Sequence, residues 1–292
     1  MSSNQRFLGI NHPYKSSRVV IIQAPYEKTT SYLKGTFWGP RRILEASGQV
    51  EFFDEELWAD PSRVGIHTPE PLNFTGRKPR EVLQMIAREV GKSFRAGKFP
   101  VLLGGEHTVT AGAIQGLKDE AEFSVLYFDA HPDLRNEYEG SKYSHACAAR
   151  RVFEMNPNLV IFGARTFCED QAAFLKQNPV PIFWAHDLAR SPRLWDKIVP
   201  ALKPNVYLSI DLDGFDPAIM PAVGTPVPGG IGWYDFLNLV KIVAKKRRII
   251  GFDVVELRPQ KGFEFCDFTA ARLAYKMMAY ALHRELKVKS EK

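Results

Sequence analysis

The sequence predicts an α/β fold built on a mostly parallel sheet, with residues 1–292 forming a single domain. Two observations carry this. Apolar, β-rich runs alternate with stretches of helical spacing along the whole chain, the pattern of βα units. No internal repeat, low-complexity stretch or linker divides the 292 residues, a length that is ordinary for an α/β domain.

In chain order, residues 18–23 (Arg-Val-Val-Ile-Ile-Gln) read as the first buried strand, broken at Pro25. A loop from Thr29 to Thr36 follows. Gly39-Pro40 then opens a helix through Glu45, because proline's missing N–H does no harm in a first turn. Residues 49–76 are mixed and Pro-containing and show no usable period. Residues 80–96 place Val82, Leu83, Ile86, Val90 and Phe94 at helical spacing. Residues 100–107 read as strand, tight glycine turn and histidine, and a helix starts at Thr108. Val125–Phe128 form a buried strand that Pro132 is expected to end, since proline cannot donate to a sheet ladder. A polar loop, 135–144, leads to His145, with a helix over 146–152. Short strands follow at 160–163 and 181–184. Asn205–Asp213 is an apolar strand ending in two acids, and a Gly- and Pro-rich loop spans 214–232. The chain closes with a helix at 233–246, a strand at 248–257 and a long helix at 268–286.

The totals exclude several classes. No apolar run approaches the ~20 residues needed to cross a membrane, and Met-Ser-Ser-Asn-Gln-Arg lacks the form of a signal peptide. A cytoplasmic location is the simplest expectation. Cys147, Cys168 and Cys266 are widely spaced and show no CxxC pattern, so they are read as free thiols. Net charge is +6, concentrated in part at 245–248 and in the tail 287–292. Residues 245–248 follow an amphipathic stretch, where cations complement a helix C-terminus. No nucleic-acid-reading motif accompanies the charge, so nucleic-acid binding is set aside.

The chemistry gathers at strand ends. Asp129, His131 and Asp133 alternate just after one strand, Asp211 and Asp213 close another, and His107 follows a third. In a parallel sheet these ends share one edge, where ligands bind. Four carboxylates brought together would repel strongly and be costly to bury without cations. Two divalent ions balance them. Oxygen donors with two imidazoles favour manganese over zinc. A paired-metal site activates water, so the reaction class is hydrolysis.

Gly104-Gly-Glu-His107, Asp129-Ala-His-Pro-Asp133, Ser144-His145 and Ser209-Ile-Asp-Leu-Asp-Gly-Phe-Asp-Pro217 resemble the ureohydrolases, the arginase–agmatinase family. Thr30-Ser-Tyr, Gly39-Pro40, Gly224-Thr-Pro, Gly229-Gly230 and Asp253-Val-Val-Glu256 extend the likeness through nearly the whole chain. The resemblance implies a three-layer α/β/α fold and two Mn2+ per chain. His107, Asp129, Asp133 and Asp211 would hold one ion. Asp129, His131, Asp211 and Asp213 would hold the other, with Asp129 and Asp211 shared. It also implies that His145 transfers a proton to the departing amine, that Glu256 holds a guanidinium group, and that the products are urea and an amine. A homo-oligomer, trimer or hexamer, is implied as well.

The loop 134–145 is similar to the agmatinase type. Glu137 and Glu139 suit a cationic tail better than a carboxylate, so the substrate expected is agmatine, giving putrescine. N1-aminopropylagmatine (giving spermidine), arginine and guanidinobutyrate are the alternatives. Pro132 stands where relatives often have Thr, Val227 where an acid is common, and 257–267 departs from the usual pattern. A non-catalytic metal-binding relative and a single-zinc deacetylase-like hydrolase are the competing classes.

Bland readings stand beside these. Asp216, outside the paired acids, reads as a turn cap. Glu256 alone would read as a partner for Arg258. His12, His67, His186 and His283 read as structural or solvated, Tyr32 and Trp233 as packing residues, and Cys147 as no nucleophile.

Overall fold

The computed structural model describes residues 5–290. Residues 1–4, and the side chains of the basic tail from residue 287, lie outside what it describes.

Eight strands form one sheet: β1 Val19–Ala24, β2 Ile66–His67, β3 Phe99–Gly104, β4 Ser124–Phe128, β5 Leu159–Phe162, β6 Ile182–Phe183, β7 Asn205–Asp211 and β8 Arg248–Val255. Their order is β2-β1-β3-β8-β7-β4-β5-β6, and every pairing is parallel. The helices are α1 Gly39–Ser47, α2 Pro79–Arg95, α3 Val109–Leu117, α4 Ala148–Met155, α5 Glu169–Gln177, α6 Ala185–Arg190, α7 Trp195–Ile198, α8 Trp233–Lys246 and α9 Glu264–Ser290.

Both sheet faces are covered. Val19 and Ile21 of β1 pack into one apolar cluster with residues of α1, α8 and α9. Val20 and Ile22 pack into a second with residues of α2, α3 and α4. Alternate side chains of one strand thus serve opposite helix layers, which is why such strands read as unbroken apolar runs. The result is the three-layer α/β/α arrangement.

Strand order positions the site. β3, β8, β7 and β4 are consecutive central neighbours. Just past or at their C-terminal ends lie His107, Glu256, Asp211 and Asp129.

Several expectations need correction. Pro132 does not end β4, which stops at Phe128. The chain leaves the ladder because the Asp129 carboxylate takes the His131 N–H at 2.6 Å and Asp213 takes the Ala130 N–H at 3.1 Å. Asp213 is not on the strand either. Asp211 ends β7 and accepts the Asp213 N–H at 2.8 Å, capping a one-turn helix over Leu212–Gly214. Tyr32 is not a packing residue, being 72% exposed on the loop before α1. Residues 49–76 contain the edge strand β2, and 169–198 hold three short helices that carried no clear pattern. Among the described residues, no helix is long and apolar enough to cross a membrane.

Candidate metal centre

The turn after β3 comes first. At Gly105 a Cβ would collide with the Tyr26 carbonyl, so only glycine lets the chain pass. That close passage delivers Glu106 and His107 into the interior, both fully buried. The His107 imidazole stacks on the Tyr127 ring, with centroids 4.4 Å apart and planes 6° from parallel. Its Nε2 lies 2.9 Å from Ser209 Oγ, and Ser209 donates to Asp253 Oδ1 at 2.8 Å. Thr110 donates to the other Asp253 oxygen at 3.0 Å. Because the Ser209 proton goes to Asp253, its oxygen is left to accept from His107 Nε2. That leaves Nδ1 with a free lone pair, the arrangement typical of a metal-binding histidine.

His107 Nδ1 faces three carboxylates: Asp211 Oδ2 at 3.0 Å, Asp129 Oδ2 at 3.1 Å and Asp133 Oδ2 at 3.6 Å. His131 Nδ1 faces Asp213 Oδ2 at 3.1 Å and Asp129 Oδ1 at 3.4 Å. Two donor groups therefore form, His107–Asp129–Asp211 and Asp129–His131–Asp213, each with its ligand atoms within 4.8 Å of one another. Asp129 belongs to both. Asp211 belongs to the first, and Asp133 borders it.

Asp133 adopts a left-handed backbone conformation, φ 49°, uncommon outside glycine but one that Asp tolerates better than most residues. Its carboxylate is held by the Tyr127 hydroxyl, which donates at 3.0 Å. Thr225 donates to Asp213 Oδ2 at 3.0 Å.

The charge balance identifies what the cluster suits. Burial, reinforced by Asp129 and Asp213, pushes Asp133 and Asp211 well above the usual carboxylate range. Burial works against charge on His107 and His131 too, yet the surrounding carboxylates override it and raise both imidazoles well above their ordinary values. Burial would also raise Asp213, but the His131 charge and the Ala130 N–H hold it below that range. Positive charge must come from protons or from cations. With protons, His107 is charged and its Nδ1 hydrogen is shared between Asp211 and Asp129 Oδ2, which has no other hydrogen-bond partner. With cations, Nδ1 is neutral, and its lone pair and Asp129 Oδ2 are both left free as ligands. A cation satisfies both. Carboxylate oxygens with two imidazole nitrogens and no thiolate suit an octahedral, oxygen-preferring ion.

His145 and Glu256 lie beside this cluster. Glu256 follows β8 in a left-handed conformation, φ 64°. Its N–H donates to Gly105 O at 2.8 Å and its Oε1 accepts the His107 N–H at 2.7 Å. Arg258 does not pair with it; that guanidinium reaches Lys34 O and Gln260 instead. His145 Nδ1 stands 3.8 Å from Glu256 Oε1 and its Nε2 stands 3.2 Å from Ser31 Oγ. Burial holds the His145 imidazole down to about 4, with charge on His131 adding to the effect, so it is neutral at pH 7.

The remaining histidines lie elsewhere. His12 and His67 bond each other's neighbourhood at the β2 edge, His186 is exposed beside Asp187, and His283 faces the Tyr280 carbonyl. Asp216 accepts from Ala218, Gly229 and Gly230 N–H groups, a turn cap. Trp233 is half-buried against Phe215.

Sequence reading missed Tyr127, Glu106, the Ser209–Asp253–Thr110 chain and Arg165. The Arg165 guanidinium donates to the carbonyls of Gly163, Asp213, Gly214, Phe215 and Val227, pinning the 214–232 loop over the cluster. A polar residue two positions before Asp129, inside a buried strand, was the one available signal for Tyr127.

Comparison with known proteins follows the same lines. The sequence model described as the Arginase family matches residues 17–280. An N(1)-aminopropylagmatine ureohydrolase of Synechocystis sp. is 39% identical over 275 residues, covering 91% of this chain and 90% of the relative. An agmatinase of Pyrococcus horikoshii is 31% identical over 263 residues, covering 89% and 91%. The crystal structure of the agmatine ureohydrolase of Thermoplasma volcanium superposes with a TM-score of 0.86 at 27% identity, covering 94% of each chain.

Proposed function

The chain belongs to the arginase family, and from that premise we propose that it hydrolyses the guanidino group of N1-aminopropylagmatine to urea and spermidine, using two Mn2+ ions. One observation carries the two-ion part: Asp129 is common to two donor groups. His107, Asp129, Asp133 and Asp211 are proposed as ligands of one ion, and Asp129, His131, Asp211 and Asp213 as ligands of the other. The whole chain, 1–292, is taken as one catalytic domain. A cytoplasmic location and a trimeric or hexameric assembly are proposed from family membership alone, and light scattering tests the assembly.

A pair of divalent ions supplies an activated water at neutral pH. The chain's own residues do the rest. Burial pushes the Glu256 carboxyl well above the usual carboxylate range, and a guanidinium beside it would offset that by favouring the charged form. The carboxylate then accepts N–H groups of the guanidinium and aligns its carbon with the cluster. As water adds to that carbon, the bond to the alkyl nitrogen breaks. His145, neutral at rest, takes up the proton that the adding water gives up and passes it to the departing amine, a shuttle suited to an imidazole at the rim of the cluster. The exposed acids Glu137 and Glu139 favour a substrate with a cationic tail.

Choice of substrate rests on likeness. Identity is 39% to the aminopropylagmatine hydrolase and 31% to the agmatinase. Agmatine, the sequence's own expectation, is the second reading, favoured by the close superposition on an agmatine ureohydrolase. Comparing kcat/KM for aminopropylagmatine, agmatine and arginine tests both. A preference for aminopropylagmatine is expected. A preference for agmatine selects the second reading, and a preference for arginine contradicts both.

A further inference from the structure

Glu106 belongs to the Gly104-Gly-Glu-His107 motif, yet it touches neither the metal-binding group nor the site of the substrate. It is fully buried. Four donors surround it: Lys28 N–H and Thr29 N–H on Oε2, each at 2.6 Å, and Thr29 Oγ1 at 2.7 Å and Thr108 Oγ1 at 2.8 Å on Oε1. A buried carboxylate this fully bonded fixes its neighbours firmly, because each partner would be costly to leave unpaired.

The partners lead to His145. A hydroxyl has one proton, and the Thr29 proton goes to Glu106. The Thr29 oxygen is therefore left to accept, and it takes the His145 N–H at 2.9 Å. Two residues on, Ser31 Oγ stands 3.2 Å from His145 Nε2. The same carboxylate thus holds the loop that contacts His145, through Lys28 and Thr29.

We propose that Glu106 and Thr29 are positioning residues for His145. Glu106 orients the Thr29 hydroxyl, that hydroxyl seats the His145 backbone, and the loop they fix brings Ser31 to the outer ring nitrogen. The proposal rests on the reading that His145 moves the proton.

A double-mutant cycle on the manganese-loaded full chain tests it, with urea release from aminopropylagmatine and from agmatine as the assay. Thr29→Val removes the hydroxyl at nearly constant shape. It is expected to lower kcat on the order of tenfold to a hundredfold, the cost of a small misplacement, with KM and metal content unchanged. Tm falls equally in the native and His145→Asn backgrounds, because Glu106 and the His145 N–H each lose a partner. Thr29→Ser restores kcat. In a His145→Asn background Thr29→Val causes no further loss. An equal loss in both backgrounds, or no loss of kcat, overturns the proposal. Should Thr29→Val fail to fold, Ser31→Ala, at an exposed position, is put through the same cycle and judged by the same coupling. A His145→Asn variant with full kcat contradicts the reading of His145 itself and removes the proposal with it.

Discussion

Tyr127 supports His107 from below and Asp133 from the side: its ring stacks on the imidazole at 4.4 Å and its hydroxyl donates to Asp133 Oδ2 at 3.0 Å. One strand residue therefore constrains two proposed ligands of the same ion. Tyr127→Phe keeps the stack and removes the hydroxyl. Loss of such a supporting hydrogen bond weakens metal binding by roughly 10- to 100-fold. Competition for Mn2+ with a chelator measures it, and unchanged affinity would show that Asp133 needs no such support.

Asp129 and Asp133 stand four residues apart but are placed differently. Asp129 enters both donor groups, whereas Asp133 only borders one. Asp129→Asn is expected to abolish binding of both ions and urea release. Asp133→Asn is expected to weaken one ion and leave residual activity. Equal, mild losses in metal content and kcat would count against a shared ligand.

Stability away from the site depends on Lys276, almost fully buried. Its Nζ lies 3.0 Å from Asp54 Oδ2, also buried, and 2.8 Å from Glu55 Oε1. The pairing ties the 52–60 loop to α9. Lys276→Met leaves the Asp54 charge unpaired in the interior, which costs about 3 kcal/mol or more. Urea denaturation is expected to show that loss. A change below about 0.5 kcal/mol, typical of surface sites, would mean that Asp54 finds water or another partner.

Cys147, two residues from His145, is buried, and burial pushes its thiol up to about 12, with the Asp133 charge adding. A raised pKa keeps the sulfur protonated through the physiological range, and only the thiolate reacts. Iodoacetamide at pH 8 is therefore expected to label half-buried Cys168 and spare Cys147 in the folded protein. Rapid labelling of Cys147 would contradict its reading as an inert residue.

The residues that gather in the two donor groups were legible because each sits at a strand end, most of them among closely spaced acids and histidines. Strand-end chemistry is local, and so Asp129, His131 and Asp211 could be seen without coordinates. Asp213 was visible for the same reason, although its place on a helical turn depends on a hydrogen bond to Asp211 that spacing does not encode. The supports were hidden. Arg165 donates only to backbone carbonyls, one at Gly163 and the rest in a segment some 50 to 60 residues away, and no side-chain pattern marks such acceptors. Ser209 and Asp253 lie on neighbouring strands, paired only once the β7–β8 register is known. Glu106 had no role legible beyond its place in the Gly104-Gly-Glu-His107 motif, because three of its four donors come from Lys28 and Thr29, far away in sequence. β2, two residues long, is too short to have a period at all.

The central claim is a two-ion centre that hydrolyses a guanidino group, and titration of Mn2+ into metal-stripped protein tests it most directly. Urea release from aminopropylagmatine is followed against bound manganese. Activity is expected to reach its plateau at two ions per chain; a plateau at one ion per chain, or no urea release from any guanidino compound at full loading, would contradict it.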